Sequence, residues 1–174
     1  MNGITVWLVT LGCMAVLTVS CSSRTSMRIG TYDSRAIAVA SAQSTESMKS
    51  LADLQAEMAE AKAAKNETLI RQKAKAMEAY QVLMHLRGFS VGSVADILEK
   101  HKAEVDSVAK EAGVQFIVSK FELIYTSSGA DVVDVTLPLA RIFKPSEQQL
   151  KLISQLQDQQ PLPMLDALLI PAEE

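Results

Sequence analysis

Four sets of residues in this 174-residue chain carry side chains able to do chemistry, and one of them stands in a spacing that specifies which. Cys21 follows the small residue Ser20 at the end of an uncharged segment, Met1 to Ser23, whose apolar run extends from Ile4 to Val19. An apolar run of that length ending at a small residue is the pattern of an export signal. Cleavage before Cys21 would leave its thiol as the site of acylation, so Cys21 is the candidate lipidation residue. Residues 1–20 then form a lipoprotein signal peptide and residues 21–26 a lipid-anchored tether. Two other readings stay open: an uncleaved anchor helix, since about 20 uncharged residues can span a bilayer, and a buried strand or helix of a soluble domain. The other cysteine, Cys13, lies inside the segment that would be removed. The mature chain would then have no disulfide and no free thiol, and its stability must come from its core and any oligomeric contacts.

The remaining three sets have bland readings that outweigh the chemical ones. His85 and His101 are the two histidines, and neither has a second His, Cys or carboxylate at a recurrent metal spacing. A metal site needs three or four convergent ligands, so no metal is expected and His101 reads as a seam residue of its helix. Ser127 and Ser128 sit beside Gly129 without a Gly-x-Ser-x-Gly frame or a base and orienting acid nearby, which makes the segment a turn. Asp33, Asp131 and Asp134 could meet in space as a cation or acid–base cluster, but each is also a natural cap or turn residue. No phosphate-cradling loop, dinucleotide fingerprint or metal-carboxylate loop occurs, so neither a cofactor nor catalysis is expected.

Composition narrows the class further. All 17 Lys and Arg and all 20 Asp and Glu lie beyond Ser23, leaving a net charge of −3. No basic excess recruits nucleic acid or anionic lipid. Aromatic residues make up 5 % of the chain, while Ala, Leu, Gln, Lys and Glu dominate its middle, a composition of long solvated helices. Without the signal the chain is about 150 residues long, the size of one domain with extensions.

The elements that must position these residues are legible in the periodicities. Met27 to Tyr32 alternates as a strand, and Asp33-Ser34 offers N-cap chemistry for a short apolar helix through Arg35 to Ala40. Ser44 to Lys65 places Leu51, Leu54, Met58 and Ala61 three and four apart, an amphipathic helix with a narrow seam. Asn66 interrupts it, and Glu67 to Leu86 resumes the pattern through Ile70, Met77, Tyr80 and Met84. The two segments read as a coiled-coil-like hairpin. Leu51, Leu54, Met58, Met77, Tyr80 and Met84 are the candidate seam or client-contact residues. The methionines among them suit a surface that adapts to varied apolar partners as well as a packed seam.

Gly88 and Gly92 mark a firmer break before Ser93-Val94-Ala95-Asp96, which reads as a capping box for a helix ending at Ala112 with Gly113 as its C-cap. Val114 to Val118 and Phe121 to Tyr125 are β-prone runs separated by Ser119-Lys120, and read as two strands of a tight hairpin. Val132 to Val135 is a further strand, and Thr136-Leu137-Pro138 opens a helix through Phe143. Pro145 to Gln149 starts the last long helix, with Ser146 and Gln149 as a capping box, ending near Gln157. Pro161-Leu162-Pro163 cannot continue it, and Met164 to Ile170 is apolar enough to dock. The expected fold is α+β: a small β-sheet body with a long helical hairpin inserted over about residues 44–112, and a C-terminal helix and Pro-rich tail over residues 144–174.

The order of elements over Arg28 to Phe143 resembles the Skp family, the OmpH-like periplasmic chaperones. Ile29-Gly30-Thr31-Tyr32-Asp33, Val108 to Val118, and Tyr125 followed by a loop and Asp134-Val135-Thr136 carry the likeness. The resemblance implies a homo-oligomer, a trimer, whose strands form a small body from which helical hairpins project to enclose unfolded outer-membrane proteins. Family members commonly hold clients with basic arms, whereas Ser44 to Ala112 here has ten basic and eleven acidic residues. Apolar contact is therefore the expected mode of capture.

The function expected on these grounds is that of a non-catalytic lipoprotein of the cell envelope. It would act as a chaperone or interaction module for unfolded or partner envelope proteins, on an outer membrane facing the periplasm. The membrane is reached through the N-terminal lipid, and no nucleic-acid partner is expected. The competing expectation is a structural, scaffolding lipoprotein that uses the fold only to oligomerise.

Overall fold

The computed structural model describes residues 27–171. The expected signal segment, Cys21 and the expected tether lie outside the described residues. Within them the protein is a mixed helix-and-strand fold of eight α-helices and one three-stranded sheet. Strand β1 (Arg28–Tyr32) lies at the centre, flanked by β2 (Phe116–Ser119) and β3 (Asp131–Asp134). Both pairings are parallel, with Ile29 opposite Phe116 and Arg28 opposite Asp131. A Cβ on Gly30 would meet Ile117 Cγ1 at 3.2 Å and the Phe116 carbonyl oxygen at 3.3 Å. The central strand therefore needs glycine where β2 closes in.

Asp33 ends β1 and caps α1 (Ser34–Ala42), accepting from the Arg35 backbone N–H. Ala36, Ile37 and Ala38 in α1 are fully buried, and the core gathers around them with Val94, Leu98, Val135, Leu139 and Ile153. Next come α2 (Thr45–Ala63), capped by Ser44, and α3 (Glu67–Phe89), capped by Asn66. Ala64-Lys65-Asn66 joins them, with Lys65 in the left-handed region at φ 50°. The helices pack on each other, with an ion pair between Lys73 and Glu57 across their interface.

Two short helices, α4 (Ala95–Lys100) and α5 (Lys102–Ala112), replace the single helix expected after Gly92. The chain kinks at His101, whose ring packs edge-on against Phe143 at 5.0 Å. The capping box expected at Ser93 is also absent. Asp96 pairs instead with Arg87 at 2.5 Å, the Arg87 Nε donates to the Ser93 carbonyl, and Val94 takes the cap position without a side-chain bond. Gly113 does cap α5, at φ 66°.

The tight strand hairpin after Gly113 does not form. Only Phe116–Ser119 is a strand, and its partner is β1, while Phe121 to Tyr125 is irregular. Ser119-Lys120 lacks the residues that accept positive φ in a two-residue hairpin turn. The Lys120 N–H instead donates to the Tyr32 carbonyl and the Glu122 N–H turns back to the Ser119 carbonyl, which prolongs pairing with β1 and bends the chain away.

After β3 come α6 (Thr136–Ala140), a single 3₁₀ turn over Arg141–Phe143, α7 (Glu147–Gln157) and α8 (Met164–Leu168). Val135, not Thr136, is the N-cap of α6 and makes no side-chain cap bond; Asp134 Oδ1 before it accepts from the Thr136 N–H at 2.8 Å, and the Thr136 hydroxyl accepts from the Asp33 N–H. The Ser146–Gln149 capping box of α7 is complete. The tail docks through the Leu162 N–H on the Phe89 carbonyl and the Ser90 hydroxyl on the Leu162 carbonyl, with Ala167 buried beneath it.

Candidate functional site

The residues with chemical potential fall into two places, one polar and buried, the other apolar and open. The first lies at the carboxyl ends of the parallel strands, where ligands of open α/β sheets commonly bind. Asp33, fully buried, faces Arg35 in a two-point pair: Arg35 Nε donates to Oδ1 at 3.1 Å and Nη2 to Oδ2 at 2.7 Å. Lys120, at the end of β2, brings Nζ to 2.9 Å from Oδ2. Both cations lie over the Phe121 ring, with Arg35 at 5.3 Å and Lys120 at 5.2 Å from its centroid.

One carboxylate faces two cations here, and the excess positive charge is met by the end of α7. Arg35 Nη2 also donates to the Leu156 and Gln159 carbonyls, at 3.0 and 2.9 Å. Leu156 lies in the last turn of α7 and Gln159 just past its end, and carbonyls at a helix C-terminus carry partial negative charge, so the arrangement is electrostatically complementary. Burial alone would raise the Asp33 carboxyl, but the hydrogen bonds and charges of Arg35 and Lys120 outweigh it and hold the group below its ordinary value. An ionised, saturated and buried carboxylate is a poor general acid or base. The cluster is a lock that ties β1, α1, β2 and α7 together. Beside it, Tyr32 is raised by burial and then by the Glu122 charge.

The three aspartates that could have converged do not. Asp33 belongs to the lock, Asp131 lies 3.0 Å from Arg28 in an ion pair, and Asp134 accepts from the Thr136 N–H at the start of α6. Ser127 and Ser128 are exposed loop residues. His85 lies tilted against Phe89 and His101 meets Phe143 edge-on. Among the described residues no group of three or more His, Cys, Asp or Glu is placed to hold a metal ion. No helix among them is long and apolar enough to cross a membrane.

The second place is the apolar stripe of α2 and α3. Leu51, Leu54, Met58, Met77 and Met84 are half-buried, Tyr80 is exposed, and within the two helices only Ala61 is fully covered. α1 and α8 pack on α3, and the stripe nonetheless stays half-covered along the helix pair. Toward the body, Tyr80 and Met84 line a hollow of about 270 Å³ with Ser41, Ser47, Ile97 and His101. The stripe therefore combines a helix–helix contact with open apolar surface. Sequence reasoning named the stripe and Asp33, and missed Arg35, Lys120 and Phe121. The close Asp-x-Arg spacing at a strand end was the available signal for Arg35, whereas Lys120 meets Asp33 only through the strand pairing. No protein-family model matches this chain, and neither a curated protein nor a solved structure matches it.

Proposed function

We propose that the chain is a non-catalytic envelope lipoprotein of Skp-like organisation, in which α2 and α3 form a coiled-coil-like hairpin that holds unfolded or partner envelope proteins by apolar contact. The observation that carries this reading is the stripe Leu51, Leu54, Met58, Met77, Tyr80 and Met84, left half-covered or exposed on two helices of 19 and 23 residues. Methionine and leucine on a partly open helix pair can repack against varied apolar segments. The near balance of charge in this region leaves apolar contact as the means of capture. A lipid on Cys21 would raise the local concentration of the hairpin at the membrane where clients emerge.

The test is light scattering of a denatured outer-membrane β-barrel protein diluted into buffer with and without the full chain. Suppression at near-stoichiometric trimer, lost in Met58→Glu/Met77→Glu while the helical circular dichroism is retained, is the expected result. Absence of suppression by the folded wild-type chain would overturn the chaperone reading in favour of a scaffold. Cys21→Ser is expected to move the protein from the membrane fraction to the soluble one.

A further inference from the structure

The way the chain is held changes after Gln159. Arg35 Nη2 fixes the Gln159 carbonyl at 2.9 Å, and beyond it Pro161 and Pro163 break the helical path, so α8 is a separate piece rather than a continuation of α7. Its attachments lie at the end of α3: the Leu162 N–H donates to the Phe89 carbonyl and the Ser90 hydroxyl to the Leu162 carbonyl, both at 2.8 Å. A helix of five residues without a side-chain cap bond does not hold itself in water. α8 therefore owes its form to docking, and the docking is thin. Ala167 is its buried residue, while Met164 and Leu168 are exposed and Leu165 and Leu169 stand 66 % and 72 % exposed. The smallest apolar side chain faces the protein and the large ones face outward.

The place of docking gives this weak hold a consequence. Ile170 of the tail lines a groove of about 490 Å³ together with Val39 and Ala42 of α1 and Met84 and Phe89 of α3. Met84 also lines the hollow beside Tyr80, so the groove adjoins the inner end of the hairpin stripe. An apolar stretch of the chain itself thus occupies the root of the surface that an apolar client would use, through the same kind of contact. We infer that residues 161–170 are a strap over the root of the hairpin: it lifts while the body stays folded, and an apolar client segment takes its place against Met84 and Phe89. The strap's part in capture rests on the hairpin reading, whereas its lifting does not.

Hydrogen–deuterium exchange of the full chain, followed by mass spectrometry, reads the strap directly. Amides of residues 162–170 are expected to exchange roughly tenfold faster, or more, than those of α1 and α7. Adding a denatured outer-membrane β-barrel protein should speed exchange of the tail further and slow that of α3 from Met84 to Phe89. Ala167→Glu, which puts a charge where the tail docks, should lower several-fold the concentration of chain that suppresses scattering, with helical circular dichroism retained. Ser90→Ala, which removes a tie without adding a charge, should act in the same direction. Tail amides as slow as those of the body would overturn the inference. So would tail amides that slow when the client is added, or suppression that is unchanged or weakened in both folded variants. Absence of suppression by wild type and variants alike is the distinct failure of the hairpin reading, and it removes the strap's part in capture as well.

Discussion

Asp33 carries two loads, capping α1 through Oδ1 and neutralising Arg35 and Lys120 with both oxygens. Asp33→Ala removes both and leaves the Arg35 side chain, 2 % exposed, without its counter-ion. Breaking a buried pair in this way costs about 3–5 kcal/mol. Asp33→Ser keeps an oxygen for the cap and should recover about 1 kcal/mol of that loss, measured as the difference in denaturant midpoints. The pH dependence stems from the lowered carboxyl. Between the folded value and the ordinary 3.8 the unfolded chain binds more protons than the folded one. The contribution of Asp33 is thus fully present above the unfolded value and lost as pH falls through the folded one. Asp33→Asn has no such proton to bind, so acid denaturation curves should show its stability deficit against wild type shrinking at low pH. A deficit constant from pH 7 to pH 3 would remove the ion pair from the account.

At the scale of elements, the local signals and the long-range ones separate cleanly. Ser44, Asn66, Gly113 and the Ser146–Gln149 box act within three or four residues of themselves, and each ends or starts a helix where its chemistry requires. Ser146→Ala should cost about 1 kcal/mol through α7. Gly113→Ala should cost about 1–2 kcal/mol, because the penalty is the left-handed backbone and the nearest atom to a new Cβ, Arg28 Nη1, stands 3.5 Å away. Thermal unfolding of the two variants checks both. What was not legible is pairing. Ile29 meets Phe116 and Val132 across long stretches of intervening chain, and nothing near Val114 to Val118 announces a parallel partner in place of Phe121 to Tyr125. The Asp33 lock failed to show for the same reason, since Lys120 and the Leu156 and Gln159 carbonyls reach it only once the sheet and α7 are placed. Ser93 and Asp96 show a local signal overruled, because Arg87 at the end of α3 offers Asp96 a full charge where the box offers one backbone N–H.

At the scale of the whole molecule, the core is gathered on α1, and much apolar surface is left outside it. Ile124 is 99 % and Tyr125 80 % exposed in the irregular segment after β2, and among the described residues β2 and β3 each have one side unpaired in the three-stranded sheet. Edge strands with open N–H and C=O groups next to exposed apolar side chains favour association. A net charge of −3 over 174 residues opposes it weakly. On the proposed reading the edges and the Ile124–Tyr125 segment are covered by other copies, while the α2–α3 pair stays outside the assembly to meet clients. Light scattering with small-angle X-ray scattering on the full chain in detergent should then give an elongated trimer. Ile124→Lys/Tyr125→Lys should shift the mass toward monomer, and Met58→Glu/Met77→Glu should leave it unchanged. The two pairs of substitutions distinguish the surface that assembles the protein from the surface that works. A compact monomer for the wild type would leave the strand edges and the stripe open together and would rule out the projecting-hairpin architecture. A trimer broken by the methionine substitutions would instead place the stripe inside the assembly, making the hairpin a structural seam and the protein a scaffold.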